Sequence, residues 1–189
     1  MTGKLFIVSA PSCAGKTSLL QAVLAGKAGE SVSQYITYTT KPPRKGDIHG
    51  KDFHFISVDE FKRKIKEGFF LEWSNTYINY YGTPRSIMND LEAGISYIII
   101  LDRAGARQMM SVIPEAVLIW IFVSELDELA GRLCKRGLDT PEQVQLRLQL
   151  AEREMKEEKS EKIYHYHIKN DDFDAALAYL EQIIFSYVY

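Results

Sequence analysis

Residues 4–20 read KLFIVSAPSCAGKTSLL: a short apolar run, a polar turn, and a segment whose leucines recur at helical spacing. The apolar run is typical of a buried parallel strand. The turn from Ala10 to Thr17 has the GxxxxGK[ST] spacing of a phosphate-binding loop, and the flanking strand and helix are the context that this motif requires. The segment therefore predicts an α/β protein that binds a nucleotide.

The chemistry of such a loop assigns roles to its residues. Successive backbone N–H groups at a helix N-terminus point at an anion, and the helix dipole adds partial positive charge. Lys16 is expected to reach the β- and γ-phosphates, and the Thr17 hydroxyl to ligate Mg²⁺, the expected cofactor. The residues expected to bind ATP here are Ala10, Pro11, Ser12, Cys13, Ala14, Gly15, Lys16, Thr17 and Ser18.

Two loop positions that are often glycine carry other residues, Ala10 and Cys13. A cysteine near a cation such as Lys16 can gain thiol reactivity, but a small side chain that fills the loop is the favoured interpretation of Cys13. The alternative for the whole motif is an accidental Gly-Lys-Thr turn, which the flanking strand and helix disfavour.

Strands and helices alternate along the rest of the chain, which predicts a parallel sheet with right-handed crossovers. Predicted strands cover residues 97–101, 117–123 and 166–169, and predicted helices cover 58–67, 104–110, 125–134, 141–158 and 173–185. A further helix is expected to begin at Thr83-Pro84, to carry Ile87 and Leu91 on one face, and to end at Gly94. Residues 35–56, which are polar and contain several prolines and glycines, predict a small β-rich insert.

Composition and charge exclude several classes of function. The 189 residues, 46% of them hydrophobic, are enough for one domain with its own core. The 23 basic and 25 acidic residues give a net charge of −2, which argues against nonspecific binding of nucleic acid or membrane surfaces. We expect no membrane span and no secretory signal, and the separated Cys13 and Cys134 favour a cytoplasmic protein. The oligomeric state stays open.

Five ordered motifs make the chain, from Lys4 to about Ile184, resemble the guanylate kinases, which phosphorylate GMP with ATP. The motifs are IVSAPSCAGKTSL, YTTKPPRKGDIHGKDFHF, FLEW followed by NYYGTP, RLCKRG with a later RL, and KNDDFDAAL. The resemblance implies a P-loop NTPase three-layer fold with a parallel central sheet, a small α+β GMP-binding insert and a helical lid. It divides the single domain into a core of residues 1–34, 96–125 and 158–189, an insert of residues 35–95, and a lid of residues 126–157.

The resemblance also implies a GMP site. Its members would be Thr37, Lys41, Arg44, Phe53, Glu72, Tyr81, Gly82, Thr83 and Asp102. Glu72 matches the carboxylate that accepts the adjacent N1–H and N2–H₂ donors of guanine. Adenine has an acceptor at N1, so it would leave that carboxylate without its hydrogen bonds. Thr37 and Thr83 match positions whose hydroxyls lie near the base.

The phosphate of GMP would be held by Arg44 and Tyr81, which match family positions. Lys41 stands where the family usually has a second arginine, so it keeps the charge and loses the bidentate fork. Phe53 stands where the family has a tyrosine, and it cannot make that hydroxyl's hydrogen bond to the phosphate. These two departures predict a raised Michaelis constant for GMP. The alternative interpretation of Lys41 and Arg44 is a solvated basic loop.

Asp102 follows the apolar run of residues 97–101, at the strand end that faces the ligand crevice of an open α/β sheet. The resemblance places it near the guanine edge and the water shell of the metal. The family pattern here is D-x-D, whose first aspartate is replaced by Ile100, and residues 103–105 (Arg-Ala-Gly) also depart from the family sequence.

Arginines of the proposed lid complete the predicted site, since the resemblance implies that they bring positive charge to the transferring phosphoryl group when the lid closes. The predicted catalytic residues are therefore Lys16, Arg44, Arg132, Arg136 and Arg147. For Arg132, a solvated helix residue is an equal alternative. Asn170 matches a residue near the adenine of ATP.

Two other functions stay open from the sequence. A kinase of the same fold could act on another small phosphorylated acceptor, such as a ribose bisphosphate, and the departures at Lys41, Phe53 and Ile100 keep that alternative. A non-catalytic guanylate-kinase-like module could bind phosphopeptides, but the intact Lys16 and Thr17 argue against it. ATP and GMP are therefore the expected partners.

Overall fold

The computed structural model of the protein describes residues 2–76, 78–136 and 140–189, without the side chain of Arg136. In chain order its elements are β1 (Leu5–Ser9), α1 (Lys16–Ala25), a 3-10 helix (Lys27–Glu30), β2 (Ser33–Gln34), β3 (Tyr38–Thr39), β4 (His54–Phe55), α2 (Val58–Lys66), β5 (Phe70–Thr76), β6 (Asn79–Pro84), α3 (Ile87–Glu92), β7 (Tyr97–Ile100), α4 (Arg103–Val112), β8 (Val117–Phe122), α5 (Leu126–Arg136), α6 (Pro141–Ser160), β9 (Tyr166–Lys169) and α7 (Phe173–Val188). None of the helices in these ranges is long and apolar enough to cross a bilayer.

The central sheet has five strands in the order β2-β7-β1-β8-β9, and every neighbouring pair is parallel. β1, which leads into the phosphate-binding loop, lies in the middle. β9 lies at one edge, as predicted for residues 166–169. The parallel sheet predicted from the alternation of strands and helices is confirmed.

Both faces of the central sheet are buried, because successive residues of β1 point to opposite sides. Phe6 and Val8 pack in one apolar cluster with buried residues of α1 and α7. Leu5 and Ile7 pack in a second cluster with buried residues of α3 and α4. Helices therefore cover the sheet on both sides, which is the predicted three-layer arrangement.

A second sheet, in the order β4-β3-β6-β5, forms the β-rich insert. Helix α2 packs on it through Phe61, whose ring stacks on Phe70 with centroids 4.4 Å apart. The Ser57 hydroxyl accepts the Glu60 N–H and begins the helix. Gly68, with φ +66°, follows its end, in a conformation that costs other residues energy because of their Cβ. The short helix predicted at residues 58–67 is confirmed, and residues 35–56 contribute β3 and β4 to this sheet.

The prediction that a helix begins at Thr83-Pro84 is wrong. Both residues belong to β6, in which Thr83 pairs with Glu72 and Pro84 with the first residue of β5. Helix α3 begins only at Ile87 and ends before Gly94, as predicted for its other end. The reason is tertiary: the side chain of Thr83 is fully buried and donates its hydroxyl to Glu72, which keeps this segment in the sheet.

Helix α6, predicted at residues 141–158, spans 20 residues and begins with a capping box. The Thr140 hydroxyl accepts the Gln143 N–H, and the Gln143 side chain accepts the Thr140 N–H at 2.9 Å. Pro141 occupies the first turn, where its missing N–H costs nothing. Buried residues such as Leu129 of α5 and Ala151 of α6 anchor this helical pair to the core.

Candidate functional site

A cleft of about 720 Å³ opens at the carboxyl ends of β1 and β7, between the central sheet, the insert and α6. The carboxyl ends of parallel strands form a crevice, which brings loops from distant parts of the chain together. The predicted site residues that line this cleft are Ala10, Ser12, Lys16, Thr37, Lys41, Arg44, Phe53, Glu72, Tyr81, Gly82, Asp102 and Arg147. The structure therefore gathers most of the predicted set in one place.

The loop after β1 is held by bonds within its own backbone. The Ala14 N–H donates to the Pro11 carbonyl at 3.2 Å. Lys16 Nζ donates to the carbonyls of Ala10, at 2.5 Å, and Pro11, at 3.4 Å. Burial lowers the pKa of Lys16, and the nearby Glu154 carboxylate acts in the opposite direction. The lysine is thus folded onto its loop, where the positive end of the α1 dipole meets the cleft.

Left-handed backbone at Cys13 and Gly15, with φ +63° and +94°, shapes the turn of this loop. A residue with a Cβ pays roughly 1 kcal/mol or more in this region, so Cys13 occupies a position that suits glycine. At Gly15 a Cβ would overlap with the side-chain amide of Asn170. Asn170 is buried there and donates to the Ala14 carbonyl at 2.7 Å, so it supports the loop from below.

Glu72 is the buried acid on the insert side of the cleft, with 2% of its surface exposed. Its Oε1 accepts the Thr83 hydroxyl at 2.6 Å. Its Oε2 faces Gly105 at the N-terminus of α4, where an added Cβ would come within 2.7 Å of that oxygen. Burial raises the pKa of Glu72 to about 7, against the Thr83 hydrogen bond and together with the charge of Asp102.

Asp102 joins the insert to the central sheet. Its Oδ1 accepts the Gly105 N–H at 2.8 Å and so caps α4. Its Oδ2 accepts the Ser74 hydroxyl at 2.6 Å and also the Thr76 hydroxyl. The predicted cleft position of Asp102 therefore carries a second role, which is to hold β5 against the end of β7.

The turn of residues 41–47 forms the outer end of the cleft around Asp47. Asp47 Oδ2 accepts Lys41 Nζ at 3.1 Å and the backbone N–H of Arg44 at 2.9 Å. Partial burial disfavours the charged form of Asp47, but these bonds outweigh it and lower the pKa. Lys41 Nζ lies 5.5 Å from the ring centre of Phe53, whose ring meets that of Tyr81 at 6.1 Å. The predicted phosphate-binding groups are thus neighbours.

Helix α6 forms the wall of the cleft opposite the insert. Arg147 Nη1 donates to Ser12 Oγ at 2.9 Å, so this helix touches the phosphate-binding loop. Glu154, two turns further along the same face, also lines the cleft. One of its carboxylate oxygens is buried without a hydrogen-bond partner among the described residues. Burial raises the pKa of Glu154 to about 7, and the charge of Lys16 opposes that shift.

Some predicted residues lie outside the lining of the cleft. Arg132 Nη2 donates to the Asn170 carbonyl at 2.8 Å and lies 3.3 Å from Glu128, so it contacts the segment beneath the loop. Thr17 is exposed in the first turn of α1, beside Lys16. The side chain of Arg136 lies outside the described part of the structure.

Among the site residues without a sequence prediction, four make the contacts described above: Ser74, Thr76, Gly105 and Glu154. Two signals could have found three of them. Ser74 and Thr76 follow Glu72 at the two-residue period of a strand, so they share its face. Glu154 follows Arg147 by seven residues, which places both on one helix face. Gly105 has no local signal, because only its approach to Glu72 requires a glycine.

Comparison with known proteins agrees with this architecture. The family model for guanylate kinase matches residues 2–187. The guanylate kinase of Shewanella sp. (strain MR-7) is 43% identical over 183 residues, which cover 96% of this chain and 86% of that protein. The guanylate kinase of Alkalilimnicola ehrlichii is 40% identical over 184 residues, covering 97% and 88%.

A solved structure extends the agreement to three dimensions. The crystal structure of guanylate kinase from Anaplasma phagocytophilum matches with a TM-score of 0.76 and 25% identity, covering 99% of this chain and 87% of that one. The predicted P-loop NTPase fold and the resemblance noted from the motifs are confirmed. Because family model, relatives and structure agree over nearly the whole length, the chain belongs to the guanylate kinase family.

Proposed function

We propose that the protein transfers the γ-phosphoryl group of ATP to GMP, giving ADP and GDP. The observation that carries this proposal is the position of Glu72, an acid with 2% exposure in the wall of a cleft that also contains Lys16 of the phosphate-binding loop. A buried carboxylate is costly unless donors satisfy it. A guanine base supplies two donors side by side, and the family membership of the chain supports the same substrate.

Recognition of the base follows from the bonds of Glu72. Thr83 donates to one carboxylate oxygen and fixes its orientation, so the remaining lone pairs can accept the N1–H and N2–H₂ of guanine. Thr37, also in the lining, adds a hydroxyl near the base. Adenine would place its N1 acceptor against the carboxylate. A site built on such polar pairing discriminates by roughly 10⁴-fold.

Phosphoryl transfer needs positive charge and in-line placement more than covalent help from the protein. Lys16 and the N-terminus of α1 would hold the phosphates of ATP, while Arg44 and Tyr81 hold the phosphate of GMP. Arg147 brings further charge from α6. The oxygen of GMP that attacks is already anionic, so it needs no strong general base.

The division into a core, an insert of residues 35–95 and a lid of residues 126–157 belongs to the same proposal. Closure of the lid would exclude water. It would bring the lid arginines to the transferring phosphoryl group only when both nucleotides are bound. Arg132 and Arg136 stay in the proposed catalytic set as lid arginines, and Asn170 in the ATP site through its support of the loop. We also propose a cytoplasmic location, in keeping with two free cysteines and nucleotide substrates.

The residues around the phosphate site fit a magnesium ion, which prefers oxygen ligands. Thr17 offers an exposed hydroxyl beside Lys16, and Asp102 and Glu154 place carboxylates in the cleft. The buried Glu154 oxygen without a hydrogen-bond partner in the described ranges also suits a nearby cation. Thr17 would hold the ion, which when bound neutralises charge on the phosphates.

An assay coupled to ADP release tests the proposal with GMP, AMP and a ribose bisphosphate as acceptors and Lys16→Ala as the blank. We expect turnover with GMP at a kcat/KM at least about 10³-fold above that with AMP. A preference for the ribose bisphosphate would instead favour a kinase of another acceptor. Absence of turnover together with tight phosphopeptide binding would favour a scaffold module.

A further inference from the structure

Arg103 lies at the start of α4, and its side chain is only 6% exposed. Its guanidinium group is bound to the C-terminal end of α6. Nη2 donates to the backbone carbonyls of Glu161, at 2.6 Å, and Glu157, at 3.3 Å, while Nη1 donates to the carboxylate of Glu158. These carbonyls belong to the last turn of the helix, where a cation also meets the negative end of the helix dipole.

Glu158 extends this contact to the edge of the central sheet. It is itself buried, and its Oε1 lies 2.8 Å from His167 Nε2 on β9. It also accepts the backbone N–H groups of Ile163, at 3.4 Å, and Tyr164, at 3.5 Å, in the segment between α6 and β9. The contact of Arg103 with Glu158 is therefore a junction that joins α4, the end of α6 and β9.

The residue before Arg103 holds the other side of the cleft. Asp102 accepts the hydroxyls of Ser74 and Thr76 on β5. Two consecutive residues at the beginning of α4 thus bind two different walls: Asp102, its N-cap, binds the insert, and Arg103 binds α6. Asp102 and Arg103 together therefore fix the positions of β5 and α6 on the two sides of the cleft.

Helix α6 extends from this contact along the cleft. Its 20 residues span about 30 Å. Arg147 and Glu154, which face the phosphate-binding loop, lie on the helix on the N-terminal side of the clamp. Ala151, which lies between Arg147 and Glu154, packs in the core, so the clamp and this contact together set the direction of the helix. A shift at residues 157–161 would therefore displace Glu154 and tilt α6 at Arg147, which contacts Ser12.

We propose that Arg103 is a positioning residue for phosphoryl transfer: by clamping the last turn of α6 onto α4, it sets where Arg147 and Glu154 face the phosphate-binding loop. The inference rests on the proposed function for its catalytic consequence. Buried ion pairs are weak evidence for stability, since their desolvation cost offsets much of the attraction. A rigid fork that engages two carbonyls and a carboxylate does fix orientation, which a lysine or an apolar side chain cannot reproduce.

Arg103→Met and Arg103→Lys test the inference, with Arg107→Met as the matched control. Arg107 lies one turn further along α4 and pairs with the carboxylate of Glu161, but its side chain is 44% exposed. Each variant is assayed for kcat, for the dissociation constant of GMP alone and of a non-hydrolysable ATP analogue alone, and for the folded fraction at the assay temperature by circular dichroism.

For Arg103→Met we expect a kcat about 10- to 100-fold lower, because displacement of a charged group by about 1 Å can cost that much. The dissociation constant of the ATP analogue should rise severalfold, while that of GMP should stay within about twofold, since Asp102 still holds β5. Arg103→Lys should have a kcat and an analogue dissociation constant between those of Arg103→Met and the wild type. Arg107→Met should have wild-type values of both.

An unchanged kcat and unchanged analogue affinity in a fully folded Arg103→Met protein would overturn the inference. So would equal losses in Arg107→Met, or a loss of kcat that the unfolded fraction explains completely. The affinity of the ATP analogue needs no acceptor, so it reports on the clamp even if the wild type fails to phosphorylate GMP. That failure would contradict only the proposed function.

Discussion

The two walls of the cleft are built in different ways. On the insert wall, Glu72 and Thr83 are buried on paired strands and bonded to each other. On the phosphate side, Arg44 is exposed in a turn, and Arg147 reaches the loop from a helix. The acid of the insert wall is buried and already bonded within the protein. The arginines of the phosphate side instead lie at the surface of the cleft.

This difference separates binding from catalysis. In the proposed reaction, the preformed, buried Glu72 would select the base before any chemistry, because burial makes its charge costly until the right donors arrive. Charges on a turn and on a helix can adjust to the transferring phosphoryl group, where interactions that strengthen in the transition state raise kcat. Substitutions in the two walls should therefore change different kinetic constants.

The largest effect is expected on the phosphate side, for Arg147→Met. Removal of this charge should lower kcat by about 10³-fold, because an arginine that stabilises a transferring phosphoryl group contributes on that order. The dissociation constant of GMP alone should change by less than about threefold. Steady-state kinetics and calorimetric titration provide these values.

Arg153→Met is the matched control for this prediction, because Arg153 lies on the same helix with its side chain 73% exposed and pairs with Glu157. It should retain wild-type kcat. Equal losses of kcat in both variants would mean that any substitution in α6 lowers activity. That result would contradict a specific contribution of Arg147 to kcat.

The next largest effect is expected on the insert wall, for Glu72→Gln. The amide cannot accept both guanine donors, so kcat/KM for GMP should fall by about 100-fold, which corresponds to the loss of a hydrogen bond to a buried charge. Most of the loss should appear in KM. Glu67→Gln, at the exposed residue that directly follows α2, serves as the control and should behave as the wild type. A loss confined to kcat would contradict the division of roles.

The same substitution should stabilise the protein without nucleotides. The pKa of Glu72 is raised from 4.5 to about 7, so the folded state holds a proton that the unfolded state has lost between those pH values. Stability therefore falls as pH rises from 4.5 to 7, and above 7 the folded state carries a costly buried charge. At pH 8, Glu72→Gln should raise the free energy of unfolding by roughly 1 to 3 kcal/mol, measured by urea denaturation.

A smaller effect is expected from pH. If the proposed role of Glu72 is correct, guanine binding requires its ionised form, so kcat/KM for GMP should decrease below pH 7, approaching tenfold per pH unit. The phosphate of GMP titrates near pH 6 as well, and Glu154 also has a raised pKa. The profile of Glu72→Gln keeps both of these groups, so the difference between the two profiles isolates Glu72. Identical profiles would show that Glu72 does not titrate in this range.

The smallest effects concern the outer end of the cleft. Phe53→Tyr should restore a hydroxyl toward the phosphate of GMP and lower its KM by about fivefold, equivalent to one hydrogen bond of about 1 kcal/mol. Lys41→Arg should lower KM by about two- to threefold, since it adds a bidentate fork. Both should leave kcat nearly unchanged. Phe55→Tyr is the control, because Phe55 lies two residues further along the chain, in β4, and does not line the cleft. If neither KM changes, the assigned phosphate grip is wrong.

Much of the fold could be predicted from short stretches of the chain. The apolar run before Ala10 and the Gly-Lys-Thr turn each act through neighbouring residues, so local pattern was enough. The helix predicted at Thr83 failed for a reason outside its own segment. Its Thr-Pro pair suits a helix start, but the hydroxyl is used by Glu72 in another strand.

Local patterns in the sequence determined most of the strands and helices and the phosphate-binding loop, because backbone preference and hydrophobic period operate over a few residues. The family resemblance, carried by longer motifs, supplied most of the predicted residues that line the cleft. Only the tertiary structure decided what the charged groups do. Asp102 bonds Ser74 across 28 residues, and Arg103 bonds Glu158 across 55. The raised pKa values of Glu72 and Glu154 likewise arise from burial by distant segments. Such effects depend on desolvation and on partners that packing brings together, and neither is written in the local sequence.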